Sequence, residues 1–336
     1  MSGVRTGLDA GFFRSAVFSI TLSALLRDMV GALAPGTEIS MLESFNRRFL
    51  IGCSGLLLCV LGACGGTEDA ARENVDAMSR EHANDTGTPS AAADLAPRQE
   101  VIGERLPYAE VDEHLVYGYF VFPADMVEPL PAVIMIHEWW GLNDGLRAMA
   151  DRLAGEGYIV LAVDLFQSQV ATTPEGARDL MLKVVENPGF AEENLRQARD
   201  FLLNTARAPA VASLGWCFGG GWSLNTALLF PDELAAAVIY YGQVTGDEDK
   251  LRPLNVPVLG IFAAQDRGIP VASVRDFEGA LERLRKNYSI HVFPGVGHAF
   301  ANPSGNNYDA AAAAEAWNMT LEFLQAHLLA GAPAAP

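Results

Sequence analysis

Short apolar runs alternate with segments of helical spacing from residue 99 onward. Apolar runs bounded by turn residues are typical of strands, and apolar residues three or four positions apart are typical of helices. The predicted strands are VYGYFVF (116–122), AVIMIH (132–137), YIVLAVDLF (158–166), AVASLGW (210–216), AAAVIYYG (235–242), VPVLGIFAA (256–264) and SIHVFPG (289–295). The predicted helices cover 144–156, two segments within 174–206, GGGWSLNTALLF (219–230), 271–287 and 309–329.

This order of strands and helices predicts an α/β fold with a mainly parallel central sheet flanked by helices on both faces. No internal repeat is present, and we expect residues 99–330 to form one domain. In sheets of this kind the chemistry gathers at the carboxyl ends of the strands. The functional residues should therefore follow the predicted strands.

The first hundred residues have a different composition. Residues 41–63 place Arg47 and Arg48 before a short apolar run, which is the order of a secretory signal peptide. Leu61 to Cys64 resembles a bacterial lipobox, so we expect Cys64 to carry lipid and the protein to be exported and anchored at the cell envelope. Residues 1–40 do not resemble a leader and are interpreted as an upstream extension before the true start.

Three alternatives remain for this leader. The arginine pair also resembles a twin-arginine export signal, and the apolar run could stay uncleaved as a membrane anchor. If the leader is not used, the protein would be cytoplasmic. Residues 64–98 are polar and acidic, and they are predicted to form a flexible tether because they carry hardly any large apolar residue.

The net charge and the positions of the cysteines reduce the number of possible functions. The formal charge of -18, without a basic cluster, argues against a nucleic-acid partner. Cys53 and Cys59 belong to the leader and Cys64 to the lipid site, which leaves Cys217 as the one thiol of the domain. An unpaired thiol in an exported protein is either a small buried apolar residue or a reactive group.

The segment GWCFGG (215–220) favours the reactive alternative. It has the G-x-nucleophile-x-G form of a nucleophile elbow and lies between a predicted strand and a predicted helix. In this motif the order along the chain is nucleophile, acid, histidine. Asp266 follows VPVLGIFAA and His298 follows SIHVF, so Cys217, Asp266 and His298 are the predicted catalytic residues. The other histidines lack this order or setting: His82 in the tether, His114, His137, His291 and His327.

Together with IHEWWGLND (136–144), YIVLAVDLF, AAVIYYG, AAQD and GHAFA, the elbow resembles the dienelactone hydrolase family of α/β hydrolases over roughly residues 100–328. The resemblance implies an ester or lactone hydrolase acting through an acyl-thioester. It also implies that Glu138 hydrogen-bonds the resting thiol. The backbone N–H of Phe218 after the nucleophile and, by resemblance, that of Trp139 are the expected oxyanion donors.

The substrate is less well defined by the sequence. The family's diene-lactone enzymes bind a substrate carboxylate through arginines, and one of those positions is Asn302 here. Arg178 or Arg267 could substitute. Trp140, Phe166, Tyr240 and Asn302 are the candidate substrate-binding residues, and Trp139 and Trp222 could also line an apolar pocket.

Two other functions compete with a lactone hydrolase. A generic carboxylesterase or thioesterase would use the same residues, and a non-catalytic lipoprotein would bind a ligand in a degenerate site. We expect no cofactor and no metal, because HEWWG lacks the second histidine of H-E-x-x-H and the elbow lacks G-x-G-x-x-G. The expected partner is a small ester or lactone, membrane contact is expected only through the lipid, and the protein is expected to be a monomer.

Overall fold

A computed structural model describes residues 65–83, 85, 87, 90 and 96–328. The upstream extension, the signal peptide and Cys64 lie outside the described residues, as do residues 329–336. The strands are β1 (Val101–Val111), β2 (His114–Pro123), β3 (Ala132–Ile136), β4 (Ile159–Val163), β5 (Val211–Trp216), β6 (Ala236–Tyr240), β7 (Val258–Ala263) and β8 (Tyr288–Phe293).

Helices connect and cover these strands. They are α1 (Gly65–Glu81), α2 (Asp144–Ala154), α3 (Pro174–Glu186), α4 (Pro188–Asp200), α5 (Phe218–Leu229), α6 (Glu248–Leu251), α7 (Val271–Arg283) and α8 (Ala310–Leu328), and a π-helical turn Phe201–Thr205 continues α4. Several begin where the sequence supplies a cap. Asn143 accepts from the Leu146 N–H at the start of α2, and Thr173 accepts from the Gly176 N–H at the start of α3.

The sheet has eight strands in the order β1-β2-β4-β3-β5-β6-β7-β8. The pairs β1-β2 and β2-β4 are antiparallel, and every pair from β4 to β8 is parallel. Every residue of β3 to β7 is buried, because helices cover both faces of these apolar strands. The predicted α/β-hydrolase architecture is therefore confirmed.

Strand β1 was not among the predicted elements. Its sequence VIGERLPYAEV carries charged residues and Pro107, and it lies at the edge of the sheet, where a proline is tolerated. The pairing of β1 with β2 shifts register between Pro107 and Ala109. The search for continuous apolar runs therefore could not find this strand.

The predicted flexible tether also differs from the structure. Residues 65–81 form α1, and Val75 and Met78 on this helix and His82 just after it are buried against the domain. Arg178 on α3 pairs with Asp76 at 2.7 Å, and Arg72 pairs with Glu186 at 2.6 Å. The few large side chains of this segment lie on one helix face, so a polar composition did not prevent docking.

Among the helices of the described residues, none is both long enough and apolar enough to cross a membrane.

Candidate active site

Cys217 occupies a sharp turn between β5 and α5. Its backbone has φ 56 and ψ -118, which is a strained conformation for a residue with a side chain. A Cβ on Gly219 would lie 2.3 Å from the Ile136 carbonyl oxygen, and one on Gly215 would lie 2.1 Å from the Gly219 carbonyl oxygen. Glycine is therefore required on both sides of the nucleophile position, as the elbow motif predicts.

Asp266 and His298 meet at the carboxyl ends of β7 and β8. Asp266 Oδ2 lies 2.7 Å from His298 Nδ1, and Asp266 Oδ1 accepts from the Ile269 N–H at 2.7 Å. Both side chains are buried. Burial alone would lower the pKa of His298, but the thiolate of Cys217 and the Asp266 carboxylate raise this pKa well above its usual range.

The Cys217 thiol is buried, with only 1% of the residue exposed. Burial alone would raise its pKa, but the neighbouring charges of His298 and His82 lower the pKa to about 6. The two histidines therefore favour the thiolate form of this side chain. Thiolates, rather than thiols, are the nucleophilic form of cysteine.

His82 and Met78 cover this thiolate. His82 Nε2 lies 3.7 Å from Cys217 Sγ, and Met78 Sδ lies 3.3 Å from the same sulfur. The His82 ring also stacks on Trp139, with 4.7 Å between ring centroids. Sequence reasoning missed His82 because the residue was assigned to the tether.

The segment that carries these residues is called the strap: residues 65–90, of which 65–83, 85, 87 and 90 are described. Beyond His82 it is attached through Asp85, whose Oδ2 lies 2.7 Å from His82 Nδ1 and whose Oδ1 accepts from the Asn306 side chain at 2.7 Å. Burial alone would lower the pKa of His82, but Asp85 and Cys217 raise it to about 9. Asp85 and Cys217 therefore favour the imidazolium form of His82.

Glu138 does not make the hydrogen bond to the thiol that the resemblance implies. Its Oε2 accepts a hydrogen bond from the Asn302 side-chain amide instead, and its Oε1 is buried without a partner in the described part of the chain. Met78 and His82 of the strap contact the sulfur instead. Burial and the neighbouring charge of Cys217 raise the pKa of Glu138 to about 7.

The two expected oxyanion donors lie on opposite sides of the nucleophile in sequence. Phe218 is the first residue of α5, so its N–H has no acceptor within the helix. Trp139 follows Glu138 in the loop after β3 and is buried. Neither backbone N–H donates to another backbone carbonyl within the described loops and turns.

The structure separates the candidate substrate-binding residues. Trp140 and Asn302 line a small cavity of about 50 Å³ beside Glu138. Phe166 is buried against the rings of His137 and Phe218, with centroid distances of 4.5 Å and 5.2 Å. It therefore packs against Phe218 of the elbow.

Tyr240, the fourth candidate, does not line the small cavity beside Glu138. Its hydroxyl hydrogen-bonds Thr320 Oγ1 at 2.6 Å and donates to the Ala316 carbonyl at 2.9 Å, so it faces α8. Successive residues at a strand end point to opposite faces. The next residue, Tyr241, contacts the His298 ring edge-on at 5.0 Å and lines the small cavity.

A larger, mainly apolar cavity of about 450 Å³ is lined in part by Cys217. Its walls come from the strap, α3 and α5. They include Val75, Met78, Met181, Val184, Trp222 and Leu228.

The fold, the elbow and the buried Asp266–His298 pair define an α/β hydrolase. The profile of the dienelactone hydrolase family matches residues 116–328. The chain belongs to this family and is a dienelactone hydrolase-like hydrolase.

Individual relatives agree with this assignment. The chain is 31% identical over 222 residues to a candidate carboxymethylenebutenolidase of Escherichia coli K12, covering 62% of this chain and 81% of that protein. It is 32% identical over 205 residues to Protein usf of Aquifex pyrophilus, covering 59% and 89%. A crystal structure of a candidate dienelactone hydrolase from Klebsiella pneumoniae superposes with a TM-score of 0.61 at 26% identity, covering 68% of this chain and 100% of that one.

Proposed function

We propose that this hydrolase cleaves a carboxylic ester or lactone by nucleophilic attack of Cys217, with His298 as proton carrier and Asp266 as its orienting partner. The observation that carries this proposal is the 2.7 Å contact between Asp266 and His298 beside a thiol whose pKa lies at about 6. The chain order Cys217, Asp266, His298 is that of the α/β-hydrolase triad. A thiolate beside an imidazolium is an activated nucleophile.

In the first half-reaction the thiolate sulfur forms a bond to the substrate carbonyl carbon. The carbonyl oxygen becomes an oxyanion, for which the N–H groups of Phe218 and Trp139 are the proposed donors. Collapse of this intermediate breaks the bond to the leaving oxygen, which takes the proton from His298. The product is an acyl-thioester on Cys217 and a free alcohol, or the ring-opened hydroxyl of a lactone.

In the second half-reaction His298 removes a proton from a water molecule, whose oxygen attacks the thioester carbon. Departure of the sulfur releases the carboxylic acid and restores the thiolate and the imidazolium. Asp266 accepts a hydrogen bond from Nδ1 throughout, which fixes the ring orientation and stabilises the positive charge. No cofactor takes part in this sequence.

An activated aryl ester tests this mechanism directly. Purified protein mixed with excess ester should release a burst of phenol close to one equivalent if deacylation is slower than acylation. Acid quenching followed by peptide mass spectrometry should place the acyl group on Cys217. Ester hydrolysis that continues at the original rate in Cys217→Ala would eliminate this residue as the nucleophile.

The larger cavity favours the second candidate, a carboxylesterase or thioesterase for apolar acyl groups. Its walls are mainly apolar, and its volume of about 450 Å³ lies within the range of small-molecule pockets. Arg178, which could have bound a substrate carboxylate, is paired with Asp76 instead. A panel of lactones, short aryl esters and longer acyl thioesters should therefore show the highest kcat/KM for uncharged acyl groups.

We also propose that the enzyme is exported and anchored at the cell envelope through a lipid on Cys64. The basis is the leader-like composition of residues 41–63 and the lipobox resemblance at Leu61 to Cys64. Mass spectrometry of the mature N-terminus tests it. A mature chain that retains residues 41–63, or a Cys64 without acyl groups, would contradict it.

A further inference from the structure

We propose that His82, Cys217 and His298 together bind a divalent transition metal of the Zn²⁺ class, and that the bound metal removes the nucleophile from catalysis. Metal binding at these residues does not depend on the function proposed above, whereas the loss of activity does. The three residues come from the strap, the elbow and the loop after β8, and hydrolysis requires only two of them.

The candidate ligand atoms of the three residues lie close together. One ring nitrogen of each histidine and the Cys217 sulfur all lie within 4.8 Å of one another, and all three residues are buried. His82 Nε2 lies 3.7 Å from the sulfur. Zinc bonds of about 2.3 Å to sulfur and about 2.0 Å to nitrogen place tetrahedral ligand atoms roughly 3.5 Å apart. Side-chain adjustments of about 1 Å would therefore bring the three donors to ligand distances, and a water molecule would supply the fourth ligand.

Both histidines are oriented as metal ligands are. His82 Nδ1 lies 2.7 Å from an Asp85 carboxylate oxygen, and His298 Nδ1 lies 2.7 Å from an Asp266 carboxylate oxygen. A carboxylate on one ring nitrogen fixes the tautomer and directs the Nε2 lone pair to the metal. The His298 Nε2 atom is buried and has no hydrogen-bond partner among the described residues.

The charges of the site also favour a divalent cation. A thiolate and the carboxylates of Asp85 and Asp266 together carry three negative charges once both imidazoles are neutral. A metal with two positive charges replaces the two imidazolium protons, which leave to solvent. One sulfur and two nitrogen donors select Zn²⁺ and Co²⁺ over the oxygen-preferring Mg²⁺ and Ca²⁺.

The proposed hydrolysis mechanism does not use the His82–Asp85 pair, because His298 transfers the proton and Asp266 orients His298. A bound metal would take the Cys217 lone pair and the His298 nitrogen at the same time. Attack on a carbonyl and proton delivery would then both stop. The metal thus acts as a reversible inhibitor that requires a docked strap.

The test is a cobalt titration of the full-length, chelator-treated protein. Co²⁺ bound to a thiolate gives a sulfur-to-metal charge-transfer band, and four-coordinate Co²⁺ gives intense visible bands. We expect both in the wild-type protein at one equivalent per chain, and neither in Cys217→Ala, which also subtracts any binding by the leader cysteines. His82→Gln should weaken binding at least tenfold, and Asp85→Asn should weaken it by about 10- to 100-fold because the carboxylate orients the ligand.

His114→Gln is the matched control, because His114 is an exposed histidine at the start of β2, and it should bind cobalt like the wild type. Thermal unfolding of each variant establishes that it is folded. Equal cobalt affinity in wild type and His82→Gln would overturn the three-ligand site. So would a spectrum without the charge-transfer band.

Hydrolysis of an activated aryl ester is followed in the same titration. Activity should fall in proportion to the charge-transfer band and return when a chelator is added. Full activity in cobalt-saturated protein would overturn the inhibitory role. A protein that hydrolyses no ester would contradict the proposed function, and its cobalt spectrum would still decide whether the metal site exists.

Discussion

The strap should control access to Cys217, and Val75→Asp tests this role. Val75 is 1% exposed and lies on the buried face of α1, away from the sulfur contacts of Met78 and His82. Burying a valine side chain is worth about 1.5–3 kcal/mol, and an unpaired carboxylate at the same position adds a desolvation penalty. The closed strap therefore loses at least about 1.5–3 kcal/mol, a factor of about 10 to 150 in the closed-to-open equilibrium.

The assay is the rate at which iodoacetamide alkylates Cys217, followed by mass spectrometry of the peptide that contains it. A buried thiol reacts through the open form, so the rate should rise by the same factor of about 10 to 150. Glu73→Ala, an exposed position on the same helix, is the matched control and should react like the wild type. Equal alkylation rates for Val75→Asp and the wild type would refute the idea that strap docking protects the thiol.

Three further outcomes follow from the site geometry. The Cys217 pKa is lowered to about 6, so the reactive thiolate forms above that pH and disappears below it. The alkylation rate should therefore rise with pH, with a midpoint near pH 6. A midpoint above 8 would contradict the charge effect of the histidines. Asp266→Asn should lower kcat for an activated ester by about 10⁴-fold through loss of the correct His298 tautomer, and a loss under tenfold would exclude the orienting role. Tyr240→Phe should reduce the free energy of unfolding by about 1 kcal/mol and leave kcat/KM unchanged, since its hydroxyl bonds Thr320 and Ala316; urea unfolding and ester kinetics check the two parts.

The sheet and the Cys217 elbow could be predicted because each depends on a local pattern. Buried parallel strands are continuous apolar runs, and the elbow requires glycine where a Cβ would meet backbone atoms at 2.1–2.3 Å. Asp266 and His298 were found through their order along the chain and their places after strands. These signals require no knowledge of long-range packing.

The strap and the partner of Glu138 depend on contacts that local patterns do not contain. Val75, Met78 and His82 lie three and four residues apart, which is one face of a helix, so a periodicity search within the polar segment could have found the strap. Composition alone suggested a tether. The hydrogen bond from Asn302 to Glu138 joins residues on loops 164 positions apart, and no spacing rule indicates it.

The direction of α1 has a consequence for how the enzyme would be held at a membrane surface. If Cys64 is acylated as the sequence predicts, the lipid lies at the first residue before the strap, and the helix of 17 residues spans about 25 Å. A freely extended chain over residues 65–98 would reach roughly 110 Å instead. With the strap docked, Cys217 would then be held about one helix length from the lipid attachment point.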